Sequence, residues 1–240
     1  MIEKSRGIVF SQLKYSETSI ITTIYTEKFG RLHFIVNGAR NPKGKIKANI
    51  FQPLALIDFN FYYNNKKEIQ RIKEIQLVLP FKSIPFNIYK CSIALFIAEI
   101  LEKSIKEEES NCNLFDFIYN SVLLLDSLED NFSNFHLNFL IQLTKQLGFY
   151  PRNNFSETDK YFNLKEGIFV PYFFYQSYCL DEEISKYFYY FIASKNYTFG
   201  LNQTKRNLIL EKILTYYYLH LEGIREIKSF KVLNEVFENN

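Results

Sequence analysis

Leu54-Ala55-Leu56-Ile57-Asp58-Phe59-Asn60-Phe61-Tyr62-Tyr63 decides the fold. Ala55, Ile57, Phe59, Phe61 and Tyr63 fall on one side, and Leu54, Leu56, Asp58, Asn60 and Tyr62 on the other. A period of two is that of a half-buried β-strand. Asn64-Asn65-Lys66-Lys67 then reads as a hairpin turn leading into a second strand, Glu68 to Leu77. Upstream, Arg6 to Gln12, Ile20 to Tyr25 and Arg31 to Val36 are three more short runs rich in Ile, Val, Phe, Tyr and Thr. Five strands within 80 residues suit a small closed barrel.

Past the barrel the period changes. Leu79-Pro80-Phe81-Lys82-Ser83-Ile84-Pro85 carries two prolines, which disfavour both helix and central strand, so the boundary between residues 1–80 and 81–240 belongs there. Ile93, Ala94, Ile97, Ala98 and Leu101 then recur at helical spacing. That helix is expected to fade by Glu107-Glu108-Glu109. Further helices are expected at about Leu114–Leu128, Phe132–Leu147 with Gly148 as its C-terminal cap, and Asp181–Ala193 with Asp181 as N-cap. The last long one is expected at Gln203–Leu221. Residues 149–180 read as irregular, with an aromatic cluster at Tyr172-Phe173-Phe174-Tyr175, and Arg225 to Phe237 as a final short turn. The class is α+β.

The charge is unevenly distributed. Residues 1–80 hold 13 Lys and Arg against 6 Asp and Glu, whereas the remainder holds 16 against 20, so a polyanion should dock on the first third. Within it, Gly38-Ala39-Arg40-Asn41-Pro42-Lys43-Gly44-Lys45-Ile46-Lys47 places four cations in a glycine- and proline-containing loop between two strands. Such cations can neutralise phosphates, or they can simply keep a loop solvated. The loop is not a nucleotide cradle: five residues separate Gly38 from Gly44, and Ile46 stands where a Mg²⁺-binding hydroxyl is required.

No catalytic constellation emerges, so a binding role is expected rather than an enzyme, with no cofactor and no metal. His33, His136 and His220 have no metal-ligand spacing, and Glu107-Glu108-Glu109 and Glu129-Asp130 read as solvated helix ends. Cys91, Cys112 and Cys179 are odd in number and widely spaced, which fits a reducing compartment. No secretory leader and no uninterrupted apolar run of membrane-spanning length is visible, so the expected location is cytoplasmic, away from the membrane.

Gly7-Ile8-Val9-Phe10, Tyr15-Ser16-Glu17-Thr18-Ser19, Tyr25-Thr26-Glu27-Lys28-Phe29-Gly30, Gly38-Ala39-Arg40 and Phe51-Gln52-Pro53-Leu54 follow in fixed order, with Tyr218-Leu219-His220-Leu221-Glu222-Gly223 and Ile227-Lys228-Ser229 near the other end. In this order the chain resembles the bacterial RecO family of recombination-mediator DNA-repair proteins, over nearly its whole length. The resemblance implies an N-terminal OB-fold barrel followed by a helical domain. It also implies binding of single- and double-stranded DNA, strand annealing, action with RecR, and help in loading RecA onto DNA coated by single-stranded-DNA-binding protein, whose acidic C-terminal tail is also bound. Many relatives carry a four-cysteine zinc site in the second half. Here that segment has only Cys179, so packing of Tyr161, Phe162, Phe169 and Phe173 is expected in place of the metal.

For an OB module of this kind, Arg40, Lys43, Lys45 and Lys47 are the expected phosphate contacts. Arg6, Lys14, Arg31, Arg71 and Lys73 come next, and Phe34, Tyr62 and Tyr63 are candidate base platforms. Lys205, Arg206 and Lys212 beside Tyr216 and Tyr217 are the expected tail-peptide site, against the alternative of an ordinary solvated helix face. The competing reading is an RNA-binding OB-fold adaptor.

Overall fold

The computed structural model describes residues 1–106, 109–173, 178–193, 200–224 and 226–238. Glu107, Glu108, Phe174, Tyr175 and Arg225, named above, lie outside them. The chain divides into two compact units, Met1–Ser127 with Ile227–Leu233, and Leu128–Glu226 with Asn234–Asn240.

In the first unit, β1 (Ile2–Lys14), β2 (Ile20–Thr26), β3 (Gly30–Val36), β4 (Leu56–Tyr62) and β5 (Ile69–Leu77) close into a barrel in the order β1-β2-β3-β5-β4. Only β3 and β5 are parallel. Closure depends on the length of β1, whose first half pairs with β4 (Ile2 with Tyr62) and whose second half pairs with β2 (Lys14 with Ile20). The expected alternation holds inside: Ala55, Ile57, Phe59 and Phe61 fill the barrel with Val9, Ile24, Phe34 and Ile72. Phe34, Phe59 and Phe61 have ring centroids 5.1–5.2 Å apart. β4 begins at Leu56 rather than Leu54, because Leu54 sits at φ 64, the left-handed region, where its backbone is pinned to Val9.

An extra residue in β1, Phe10, bulges away from the β2 register and turns its ring onto Tyr25, 5.7 Å away. Tyr25 in turn stacks on Phe115 at 6.2 Å, so this flank of the barrel is covered by helix. The helices here are α1 (Ile88–Ser104) and α2 (Cys112–Ser127). α1 starts five residues ahead of its apolar period because Asn87 Oδ1 accepts from the amides of Tyr89 and Lys90. The proline-rich linker is fixed by Asp126, whose carboxylate accepts the amides of Lys82, Ser83 and Ile84 at 2.8–3.0 Å.

The second unit contains α3 (Phe135–Gln146), a hairpin of β6 (Tyr161–Asn163) and β7 (Ile168–Val170), α4 (Glu182–Ala193) and α5 (Gln203–His220). α6 (Ser229–Glu238) closes the chain, ten residues of helix where a short turn was expected. Gly148 ends α3 at φ 86, and Asp181 Oδ1 caps α4 through the amide of Ile184 at 2.8 Å, both as expected. The hairpin lies within the stretch read as irregular, since three-residue strands are too short to show a period. Rings knit this region together: Phe162 lies 4.9 Å from Phe169, and Tyr161 lies 5.6 Å from Phe173. Among the described residues no group of three or more His, Cys, Asp or Glu side chains is placed to hold a metal ion, and the residues around Cys179 do not fit a four-cysteine zinc site.

Candidate nucleic-acid interface

Strand register places two rows of side chains side by side on the barrel exterior. Leu13 of β1 pairs with Ile21 of β2, Ile21 with Ile35 of β3, and Ile35 with Arg71 of β5. The adjacent row runs Ser11, Thr23, His33, Ile69. Directly paired residues share a face, and none of these eight is buried except Thr23, whose hydroxyl is 3.1 Å from His33 Nδ1. The first row is an apolar floor of Leu13, Ile21 and Ile35 with Arg71 at one end and Lys14 and Tyr15 just beyond Leu13 at the other, and the second is mostly polar.

A concavity of about 560 Å³ adjoins the β5 end of this floor, lined by Met1, Tyr62, Tyr63, Lys67, Ile69, Arg71 and Lys73 among others. Lys73 is the extra residue where the β4–β5 register shifts between Asn60 and Phe61. Tyr62 is 46% exposed, whereas Tyr63 leans onto Phe29 with centroids 4.7 Å apart. Phe34 is removed as a platform: it is 0% exposed, because even-numbered positions of β3 point into the barrel.

The loop between β3 and the following 3-10 turn (Ala48–Phe51) is closed on itself. Asn41 and Gly44 donate their amides to Gly38 and Asn41, and Ala48 to Ala39, at 2.9–3.0 Å. A Cβ on Gly44 would sit 2.1 Å from the Gly38 carbonyl oxygen, so only glycine permits this closure. Gly44 here serves tight closure of the loop.

The nine expected phosphate contacts separate into two groups. Lys14, Lys43, Lys45, Arg71 and Lys73 are exposed, and their side chains make no hydrogen bond or ion pair among the described residues. The other four are engaged. Arg6 makes a two-pronged pair with Glu27 at 2.7 and 2.9 Å and lies over the rings of Phe115 and Tyr119 at 5.3 and 5.1 Å. The hydrogen bond to Glu27 holds the guanidinium's pKa above its ordinary value and draws the Glu27 carboxyl below its own. Arg31 donates to the Glu102 carbonyl in the last turn of α1 at 3.2 Å. Arg40 donates to the carbonyls of Ser16 and Glu17, and Lys47 to those of Asn41 and Pro42.

Leu13, Tyr15, Ile21, Ile35 and Ile69 complete the surface and were not singled out from the sequence. Their apolar character at alternate strand positions reads as core, and only the register shows them outward. Lys67 sits in the hairpin turn and carries no distinguishing signal.

In the second unit the expected peptide site changes. Tyr216 and Tyr217 are 1% and 0% exposed, and their hydroxyls donate to the carbonyls of Phe149 and Leu140 at 2.7 Å. Burial raises both phenol pKa values, and the rings are core rather than docking surface. Arg206 is half-buried, donating to Asn134 Oδ1 at 2.9 Å and the Leu201 carbonyl at 3.0 Å, with Phe237 beneath it at 5.3 Å. Lys205 is paired with Glu183, which raises its pKa. Lys212 is partly exposed.

Residues 1–81 match the family described as "Recombination protein O N terminal", and residues 85–229 match "Recombination protein O C terminal". The chain is 39% identical over 244 residues to "DNA repair protein RecO" of Bacteroides fragilis, covering 99% of this chain and 100% of that protein. It is 34% identical over 241 residues to the same-named protein of Azobacteroides pseudotrichonymphae, with 99% and 100% covered. With that of Flavobacterium psychrophilum it shares 36% over 239 residues, 98% of each chain.

Proposed function

Because this chain belongs to the recombination protein O family of DNA repair proteins, we propose that it is a recombination mediator that binds single- and double-stranded DNA on the outer face of its barrel. It anneals complementary strands, works with RecR, and helps load RecA onto DNA coated by single-stranded-DNA-binding protein. The supporting observation is the row Leu13-Ile21-Ile35, an apolar floor ended by Arg71, on a barrel that offers four more uncommitted cations, Lys14, Lys43, Lys45 and Lys73. Bases unstacked from a duplex present apolar faces that such a floor can take up, while the cations hold the phosphates at its margins. Annealing then needs no bond chemistry: neutralising phosphates lowers the repulsion between two strands held by one protein. The acidic tail of the coating protein is assigned to the basic side of α5 at Lys205 and Lys212, with Arg206 at its margin. The site of action is the cytoplasm, and no helix among the described residues is long and apolar enough to cross a membrane.

The test is the rate of annealing of complementary oligonucleotides, bare and coated, for wild type and for the Lys43→Gln/Lys45→Gln/Arg71→Gln/Lys73→Gln variant. Wild type should accelerate annealing, and the variant should lose about tenfold or more of that acceleration at moderate salt. An unchanged rate removes the barrel face as the site. Tighter binding of single-stranded RNA than of DNA would favour an RNA-binding adaptor instead.

A further inference from the structure

Between β1 and β2 the chain turns through Tyr15–Ser19, a hairpin with its own internal bonds. The amides of Tyr15 and Ser16 donate to the Ser19 carbonyl at 3.1 and 3.3 Å, and the Ser19 amide reaches Ser16 Oγ at 3.2 Å. Ser19 Oγ bonds Asn37 Oδ1 at 3.3 Å, at the start of the cationic loop. Arg40 completes the link: its amide donates to the Thr18 carbonyl at 3.0 Å, and its Nη1 to the carbonyls of Ser16 and Glu17 at 3.3 and 3.1 Å. Four bonds thus join two loops that are far apart in sequence. The joined element carries Tyr15, 63% exposed and without a ring partner among the described residues, and the exposed Lys14, Lys43 and Lys45.

A guanidinium whose Nη1 is directed at two backbone carbonyls is poorly placed to spend those donors on a phosphate. A large aromatic ring left in water at a strand end, on an element fixed in advance by hydrogen bonds, is what sequence-tolerant base stacking requires, because little ordering entropy is then lost on binding. We infer that the 14–19 hairpin and the 37–47 loop act as one pre-formed clamp in which Tyr15 stacks on an unpaired base, Lys14, Lys43 and Lys45 hold its flanking phosphates, and Arg40 is a positioning residue.

This inference rests on the nucleic-acid reading above and extends the floor beyond Leu13. The ligand is a single strand of either sugar type, because stacking uses the face of the base. A duplex cannot use Tyr15, since its bases are already stacked on one another.

The experiment measures full-length protein binding to a fluorescent single-stranded oligonucleotide and to the matching duplex over a series of salt concentrations, for Tyr15→Ala, Tyr15→Phe, Arg40→Gln and the Tyr15→Ala/Arg40→Gln double variant. Tyr15→Ala should weaken single-strand binding by about 5- to 160-fold, the range for one stacked base, with the salt slope and duplex affinity unchanged. Tyr15→Phe should bind as wild type does. Arg40→Gln should weaken single-strand binding without altering the salt slope, and the cost of Tyr15→Ala should shrink in its background, because the ring is then no longer held in place.

Wild-type affinity in Tyr15→Ala, alongside normal single-strand binding by wild type, would overturn the clamp and leave the nucleic-acid reading intact. An Arg40→Gln loss that lowers the salt slope by about 0.7 and adds independently to that of Tyr15→Ala would make Arg40 a phosphate contact and overturn its positioning role. Should Arg40→Gln fail to fold, Tyr15→Ala at an exposed side chain still decides the stacking role. Absence of single-strand binding by wild type would overturn the clamp together with the reading on which it rests.

Discussion

Removing the charges of Arg71 and Lys73 together should change how binding responds to salt, and the structure fixes by how much. Both side chains are exposed and uncommitted, and they stand with Lys14, Lys43 and Lys45 as the cations offered by this face. If each neutralises one phosphate of a single strand, at about 0.7 of a counterion apiece, log affinity should fall with log salt at a slope of about −3.5, so that moving from about 50 to 200 mM salt costs about 100-fold. In Arg71→Gln/Lys73→Gln the slope should drop to about −2, and the same change in salt should cost only about 20-fold. Fluorescence anisotropy of a labelled oligonucleotide, titrated at several salt concentrations, reads both numbers. The double variant targets charge alone, since neither side chain anchors the barrel. A slope equal to that of wild type would refute the placement of these cations on the phosphate path, whatever happened to the affinity at a single salt concentration.

Two further outcomes test the packing within each unit. Glu99 is drawn below its usual 4.5 to about 2: burial opposes its charge, but Lys103, the Ser229 hydroxyl and the amides of Ser229 and Lys228 outweigh burial. Because the folded-state value is depressed, its contribution, at most about 3 kcal/mol, is full above pH 4.5 and drains away as pH falls towards 2. Glu99→Gln should therefore be less stable than wild type near neutral pH, with the gap closing below pH 4.5; a gap independent of pH in denaturant unfolding would contradict this role. Tyr217→Phe deletes a buried hydroxyl bonded to the Leu140 carbonyl at 2.7 Å and should cost about 1 kcal/mol, seen as a lower urea midpoint by circular dichroism. An unchanged midpoint would mean that the bond contributes nothing net.

The sequence alone placed the five strands and the inward side of β4, because a period of two survives wherever one side of a strand is buried, as Ala55, Ile57, Phe59 and Phe61 show. It also placed the helices α1 to α5, through spacing and through caps such as Asp181 and Gly148, and the basic character of the first third, but it missed α6. Short elements escaped it: β6 and β7 carry no measurable period.

What only the tertiary structure decided is which residues of one type do which task. The sequence ranked the loop cations Arg40, Lys43, Lys45 and Lys47 ahead of Arg6, Lys14, Arg31, Arg71 and Lys73 as phosphate contacts, yet Arg6, Arg31, Arg40 and Lys47, two from each group, find carboxylate or carbonyl partners that are remote in sequence or reached only by a folded loop. Tyr15, Tyr62, Tyr216 and Tyr217 are likewise one residue type with opposite fates, two in water and two in the core. Local pattern records whether a side is apolar. Only long-range register and loop closure determine what stands opposite it, and so which Leu13, Ile21 and Ile35 remain outside a barrel whose other apolar residues are within.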